Sequence, residues 1–159
     1  MSDDATFEDG REAPLRLKAL DAEDLAVIAA LTQDAVFPAA EMRWDRKARR
    51  FAILLNRFRW EDAQNAHARR RDFERVQAVL AFEDVMRVRS QGVDKSDPEM
   101  VFSLLSIAFE PGEDGAGRIE LTLAGDGVIA LEVEALEAVL RDVTRPYVAP
   151  SGQAPRHPE

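Results

Sequence analysis

From Met42 to Val133 apolar residues recur at every second position, in short runs separated by polar turns. Successive side chains of a strand point to opposite faces, so a period of two is the signature of sheet. A chain patterned this way over more than half its length folds mainly as antiparallel strands. The runs are Met42–Trp44, Arg50–Phe58, Val76–Phe82, Val85–Arg89, Val101–Phe109, Arg118–Leu123 and Val128–Val133. In Arg50–Phe58 one face carries Phe51, Ile53 and Leu55 and the other Ala52 and Leu54, which suits a central strand. Pro111-Gly112-Glu113-Asp114-Gly115 and Gly125-Asp126-Gly127 are turn signals. Residues 61–74 are polar and read as a long loop or a short exposed helical turn.

Helical spacing occurs only at the flanks. A short strand over Leu15, Leu17 and Ala19 precedes a helix with Asp21 as N-cap and Leu25, Ile28, Ala29 and Thr32 on one face. A second helix is predicted over 134–143, with Leu136, Val139, Leu140 and Val143 as its stripe and Pro146 beyond its end. The expected fold is therefore α+β. It is a bent antiparallel sheet, or a pleckstrin-homology-like barrel of about seven strands with a C-terminal capping helix, preceded by an N-terminal strand and helix. The alternative is an open sheet with both helices on one face. Residues 14–148 are expected to form one domain, with loose tails at 1–13 and at 149–159, where prolines gather.

Composition narrows the function classes. The 159 residues include no cysteine, which excludes disulfides, thiolate metal sites and a cysteine nucleophile. The polar, acidic start carries no signal-peptide pattern and no apolar run is long enough to span a bilayer, so a cytoplasmic location is expected. A net charge of −9 argues against nonspecific binding to nucleic acid or to anionic membranes. The charge is unevenly placed. Residues 43–75 hold 11 Lys/Arg and 5 Asp/Glu, a net +6, against 10 and 25 elsewhere, a net −15.

Three stretches carry a family resemblance: Leu17-Lys18-Ala19-Leu20-Asp21-Ala22-Glu23-Asp24-Leu25, Arg50-Phe51-Ala52-Ile53-Leu54-Leu55-Asn56-Arg57-Phe58-Arg59-Trp60-Glu61, and Ala135 to Tyr147. With them the chain resembles an uncharacterised alphaproteobacterial family, the domain of unknown function 2948, over about residues 14–148. The resemblance implies a bacterial cytoplasmic protein, and it brings no activity and no catalytic residues to carry over.

The residues themselves offer little chemistry. His67 lies in a polar loop and His157 in a tail, so no histidine pair can form an acid–base or metal constellation in the ordered region. Asp21, Glu23 and Asp24 are better explained by a helix N-terminus than by a metal. The neighbours Glu61-Asp62 and Glu83-Asp84 would point to opposite faces if extended, which does not suit a hydrolytic dyad. Ser90, Ser96, Ser103 and Ser106 lack a nucleophile-elbow context, and the glycines at 112, 115 and 117 sit beside acids that would repel phosphate. No catalytic residue, cofactor or metal is expected.

The segment that stands out runs from Asn56-Arg57-Phe58-Arg59-Trp60-Glu61 into Arg69-Arg70-Arg71. Arginine pairs with carboxylates or phosphates through two parallel hydrogen bonds, and tryptophan supplies anchor area. The plainer explanation has Phe58 and Trp60 in the core and the arginines on a solvated face. The first functional expectation is a non-catalytic binding or adaptor module using a basic edge over 57–71: Arg57, Arg59, Trp60, Arg69, Arg70 and Arg71. Its partner would be an acidic protein or, through opposite patches, a second copy. A small-molecule binder with a pocket between sheet and helix comes second, and a carboxylate-based enzyme third.

Overall fold

The computed structural model describes residues 14–62, 74–94, 96–144 and 147–148. Both expected tails, 1–13 and 149–159, lie outside these residues. The elements in chain order are β1 (Arg16–Ala19), α1 (Ala22–Leu31), β2 (Val36–Pro38), β3 (Met42–Asp45), β4 (Arg50–Phe58), β5 (Glu74–Phe82), β6 (Val85–Gln91), β7 (Val101–Pro111), β8 (Gly117–Leu123), β9 (Gly127–Val133), β10 (Ala138–Asp142) and β11 (Tyr147–Val148). Short 3-10 turns cover Ala39–Glu41 and Trp60–Asp62.

Every strand pairing is antiparallel, in the order β1-β10-β5-β4-β2-β7-β8-β9-β6. Two strands lie off this path: β3 pairs β4 and β11 pairs β5. The sheet turns a corner at β2, which pairs with the end of β4 at Val36↔Asn56 and with the start of β7 at Phe37↔Phe102. Beyond the corner its inner face turns back on the first half. Phe51, Ile53, Leu55, Leu80 and Phe82 from one half and Ile107, Ile119, Leu121, Ile129 and Leu131 from the other belong to one core. The far ends are tied where the Val85 amide donates to the Arg49 carbonyl at 2.8 Å. Beyond that tie, β3 and β6 do not pair among the described residues, so the sheet remains open and is not a closed barrel.

The helix α1 starts as the sequence predicts. The Asp21 carboxylate accepts the Asp24 amide at 2.8 Å, satisfying one of the donors left free at a helix start. Leu25 and Ile28 are buried and face β7 and β1. The helix ends at Leu31, well before Pro38. The Thr32 hydroxyl folds back onto the Ile28 carbonyl at 2.8 Å, and Asp34 takes a left-handed φ of 64°.

The expected helix over 134–143 is instead the strand β10, inserted between β1 and β5. Ala138, Leu140 and Asp142 are buried while Val139 and Arg141 are more open, a period of two. Val143, assigned to the helical stripe, is exposed. Leu136, Val139, Leu140 and Val143 fit a helical stripe by spacing alone. What decides is that β5 has backbone donors and acceptors on both sides, and β10 satisfies one edge of it over Ala78–Phe82. The only helix of eight or more residues described is thus N-terminal. The capping helix of a pleckstrin-homology-like layout has no counterpart here.

No helix among the described residues is long and apolar enough to cross a membrane.

Candidate ligand-binding cleft

Of the singled-out arginines, Arg57 and Arg59 take up positions inside the fold. Arg57 on β4 is completely buried. Its guanidinium uses all five of its N–H donors. Nε and Nη2 donate to the two Asp142 oxygens at 3.0 Å each. Nη1 and Nη2 donate to the Glu61 oxygens at 2.9 and 2.8 Å. The second Nη1 hydrogen goes to the Phe58 carbonyl at 3.0 Å. Asp142 also accepts the Leu15 amide at 3.0 Å, so one buried cation ties β4, β10, the segment before β1 and the turn after β4. Burial opposes charge at Glu61, but the hydrogen bonds and charge of Arg57 overcome it and hold that carboxyl below its ordinary range. At Arg57, burial is likewise outweighed by its bonds to Glu61 and Asp142, which raise its basicity.

Arg59 is also buried and forms an ion pair with Glu74. Trp60 donates its indole N–H to the Gln33 carbonyl at 2.8 Å, anchoring the end of α1. Its ring stands 5.7 Å from that of Phe58, and the Arg75 guanidinium stacks over the Phe58 ring, 3.8 Å from its centroid. Arg57 and Arg59 therefore do not lie on a solvated strand face. Their charges are used within the chain, because neighbouring strands bring Asp142 and Glu74 against them. Arg69, Arg70, Arg71 and His67 fall outside the described residues.

A second site lies at the opposite end of β4, where the sheet fails to close. The gap between β3 and β6 is a cleft of about 360 Å³. Met42 and Trp44 line it from β3, and Ala39 and Ala40 from the 3-10 turn before it. Val88 and Ser90 line it from β6. The buried Phe51 and Ile129 also line it, as do Val93, Pro98 and Arg46.

Local sequence explains each wall. Alternation along β3 sends Met42 and Trp44 to the cleft and Arg43 to the other face. On β6 the register with β9 shifts between Val85 and Arg87, a bulge that leaves Met86 as the extra residue. Val85 faces the core and the bulge resets the alternation, so Val88 and Ser90 turn to the cleft. The turn over Ala39–Glu41 is held by the Ala39 amide on the Met100 carbonyl at 2.8 Å and the Ala40 amide on the Pro98 carbonyl at 3.0 Å.

Sequence reading missed this site. Ser90 lacks a nucleophile-elbow context and lines the wall of this cleft. The signal available was Met42 and Trp44 on a short strand of otherwise charged residues, apolar side chains that need cover.

A protein-family model described as "Protein of unknown function (DUF2948)" matches residues 15–157. The chain belongs to the DUF2948 family. No curated protein and no solved structure matches it. For this DUF2948 member the site's own geometry therefore carries the functional argument. Among the described residues no group of histidine and carboxylate side chains could hold a metal ion.

Proposed function

We propose that this protein binds a small, largely apolar molecule in the cleft between β3 and β6 and does no covalent chemistry on it. The supporting observation is the cleft's size and lining. Ligand sites are typically about 300–1,000 Å³, mostly apolar, with a few polar groups that fix orientation. Here Met42, Trp44, Phe51, Val88 and Ile129 supply the apolar walls, and Ser90 and Arg46 the polar groups. The pocket expected between sheet and helix is thereby relocated to a gap between two strand edges.

The carboxylate-enzyme reading finds less support. Glu61 and Asp142 do converge, but on Arg57, which keeps Glu61 ionised, the opposite of what a general acid needs. An adaptor role with an acidic partner, or self-association, would have to rest on Arg69, Arg70 and Arg71, since Arg57 and Arg59 are already paired inside the fold.

Trp44 makes the test direct. In a Trp60→Phe variant it is the sole tryptophan, because the chain holds only two. Titration with the uncharged fluorophore phenylnaphthylamine should give saturable probe enhancement and a change in Trp44 emission. Ser90→Phe, which fills the cleft from an exposed position, should abolish both. Probe binding that Ser90→Phe leaves untouched refutes the assignment.

A further inference from the structure

We infer that the ligand is an organic monoanion, an apolar body bearing one carboxylate, with that carboxylate held at Arg46. This rests on the cleft being a binding site and adds the ligand's charge. Arg46 lines the apolar cleft and also a second, more open hollow beside it, whose other walls include Arg49, Met86 and Arg87. The two hollows share Trp44, Arg46 and Val88 in their walls, so they are neighbours. Three guanidinium groups thus line the apolar cleft or the hollow beside it, in a chain whose net charge is −9.

Two of the three are already neutralised. Arg49 bonds to Glu134 at 2.9 Å, and Arg87 faces Glu132 at 4.0 Å. Arg46 makes no ion pair among the described residues. Among the described residues, Arg46 is thus the one of these three arginines without a carboxylate partner. Arg46 is exposed, so water solvates it when the cleft is empty, and a neutral ligand would gain nothing from its charge. A dianion such as a phosphate monoester would meet one cation and the nearby carboxylates of Glu132 and Glu134. A single carboxylate matches the count, and the planar guanidinium can bind it through two parallel hydrogen bonds. Trp44, adjacent to Arg46 around the rim, offers a flat apolar surface to the part of the ligand next to the carboxylate.

Two probes isolate the charge. Phenylnaphthylamine and anilinonaphthalene sulfonate share the same rings and differ by one sulfonate, which stands in for the carboxylate. Both are titrated into the full chain, its Arg46→Gln variant and its Arg43→Gln variant. Arg43 lies on β3, three residues before Arg46, and is absent from the cleft lining, so its variant removes the same charge from the wrong place. The sulfonate should bind about tenfold more tightly than the neutral probe, the size of one charge-assisted contact. Arg46→Gln should erase that preference and leave the neutral probe within about twofold, while Arg43→Gln should keep it. Equal affinities for the two probes, or equal losses in the two variants, overturn the monoanion inference while leaving the cleft. Binding of both probes that survives Ser90→Phe removes the cleft itself, and the inference with it.

Discussion

Replacing Arg57 by methionine should be the most damaging single substitution on β4. Methionine fills much of the same space but leaves Asp142, whose side chain is 4% exposed, with the Leu15 amide alone. Glu61 loses both of its bonds to the guanidinium. Removing one partner of a buried ion pair costs about 3–5 kcal/mol, because the stranded charge keeps its desolvation penalty and loses its compensation. Against a domain stability of about 5–15 kcal/mol this is a large share. At a urea slope of about 2 kcal/mol/M it lowers the midpoint by roughly 2 M. Urea titration followed by circular dichroism measures this. A triple variant, Arg57→Met with Glu61→Gln and Asp142→Asn, removes the charges together and should recover about half the loss, since a neutral set carries a smaller burial cost. A cost below about 1 kcal/mol for Arg57→Met would refute the reasoning. A triple variant no better than the single one would do so too, and would assign the loss to packing and the Phe58 carbonyl.

Other expectations follow from the same geometry. The Glu61 carboxyl is held below its ordinary value of 4.5, so its contribution is complete above that pH and is lost as pH falls through the lowered folded value; the urea midpoint should decline on acidification below about pH 4.5, and less so in Glu61→Gln. Leu140→Ala, at a fully buried position of β10, should cost about 2–5 kcal/mol by denaturant titration. Asp21→Ala should cost about 1 kcal/mol through the lost N-cap, seen as a lower melting temperature. Gly117→Ala would place a Cβ 2.5 Å from the Phe109 ring and 2.6 Å from the Glu110 carbonyl oxygen, and should destabilise by about 1–3 kcal/mol.

The strands β4, β5, β8 and β9 were legible because each buries one alternating set, and period two leaves little ambiguity when the apolar side faces a core; β6 and β7 keep the pattern only on either side of a register shift. The terminal segment was not, because Ala138, Val139 and Leu140 read equally as strand or stripe, and only the vacant edge of β5 decides between them. The three-residue β2 has no periodicity of its own to read; it exists because β4 and β7 both need a partner at the corner. The basic segment was opaque for a different reason. Glu61 lies four residues beyond Arg57, but Asp142 and Glu74, which complete the pairing of Arg57 and Arg59, come from 85 and 15 residues away along the chain. Pairing at that range depends on the register of β4 with β5 and of β5 with β10, which no local pattern encodes.

The same reasoning explains why the cleft persists instead of closing. Two strand edges tied at one end by the Val85–Arg49 hydrogen bond could zip together, bury Trp44 and Val88, and complete a barrel. Two features oppose this. The bulge after Val85 rotates β6 so that the cleft-facing residues are Val88 and Ser90, out of step with the strand's own first residue. The 3-10 turn at Ala39–Glu41, pinned to Pro98 and Met100, interrupts the chain just before β3 and limits that strand to four residues. The free edge of β6 carries Arg87 and Arg89 and begins with the bulge, the means by which sheets discourage edge-to-edge pairing with other chains. An opening held apart by two independent local features, lined with apolar side chains and provided with one unpaired arginine among the described residues, leaves apolar surface uncovered at a cost to stability. A molecule bound there would cover the half-buried Trp44 and Val88 and return that stability. The melting temperature should therefore rise with ligand concentration in the wild-type chain and stay flat in Ser90→Phe.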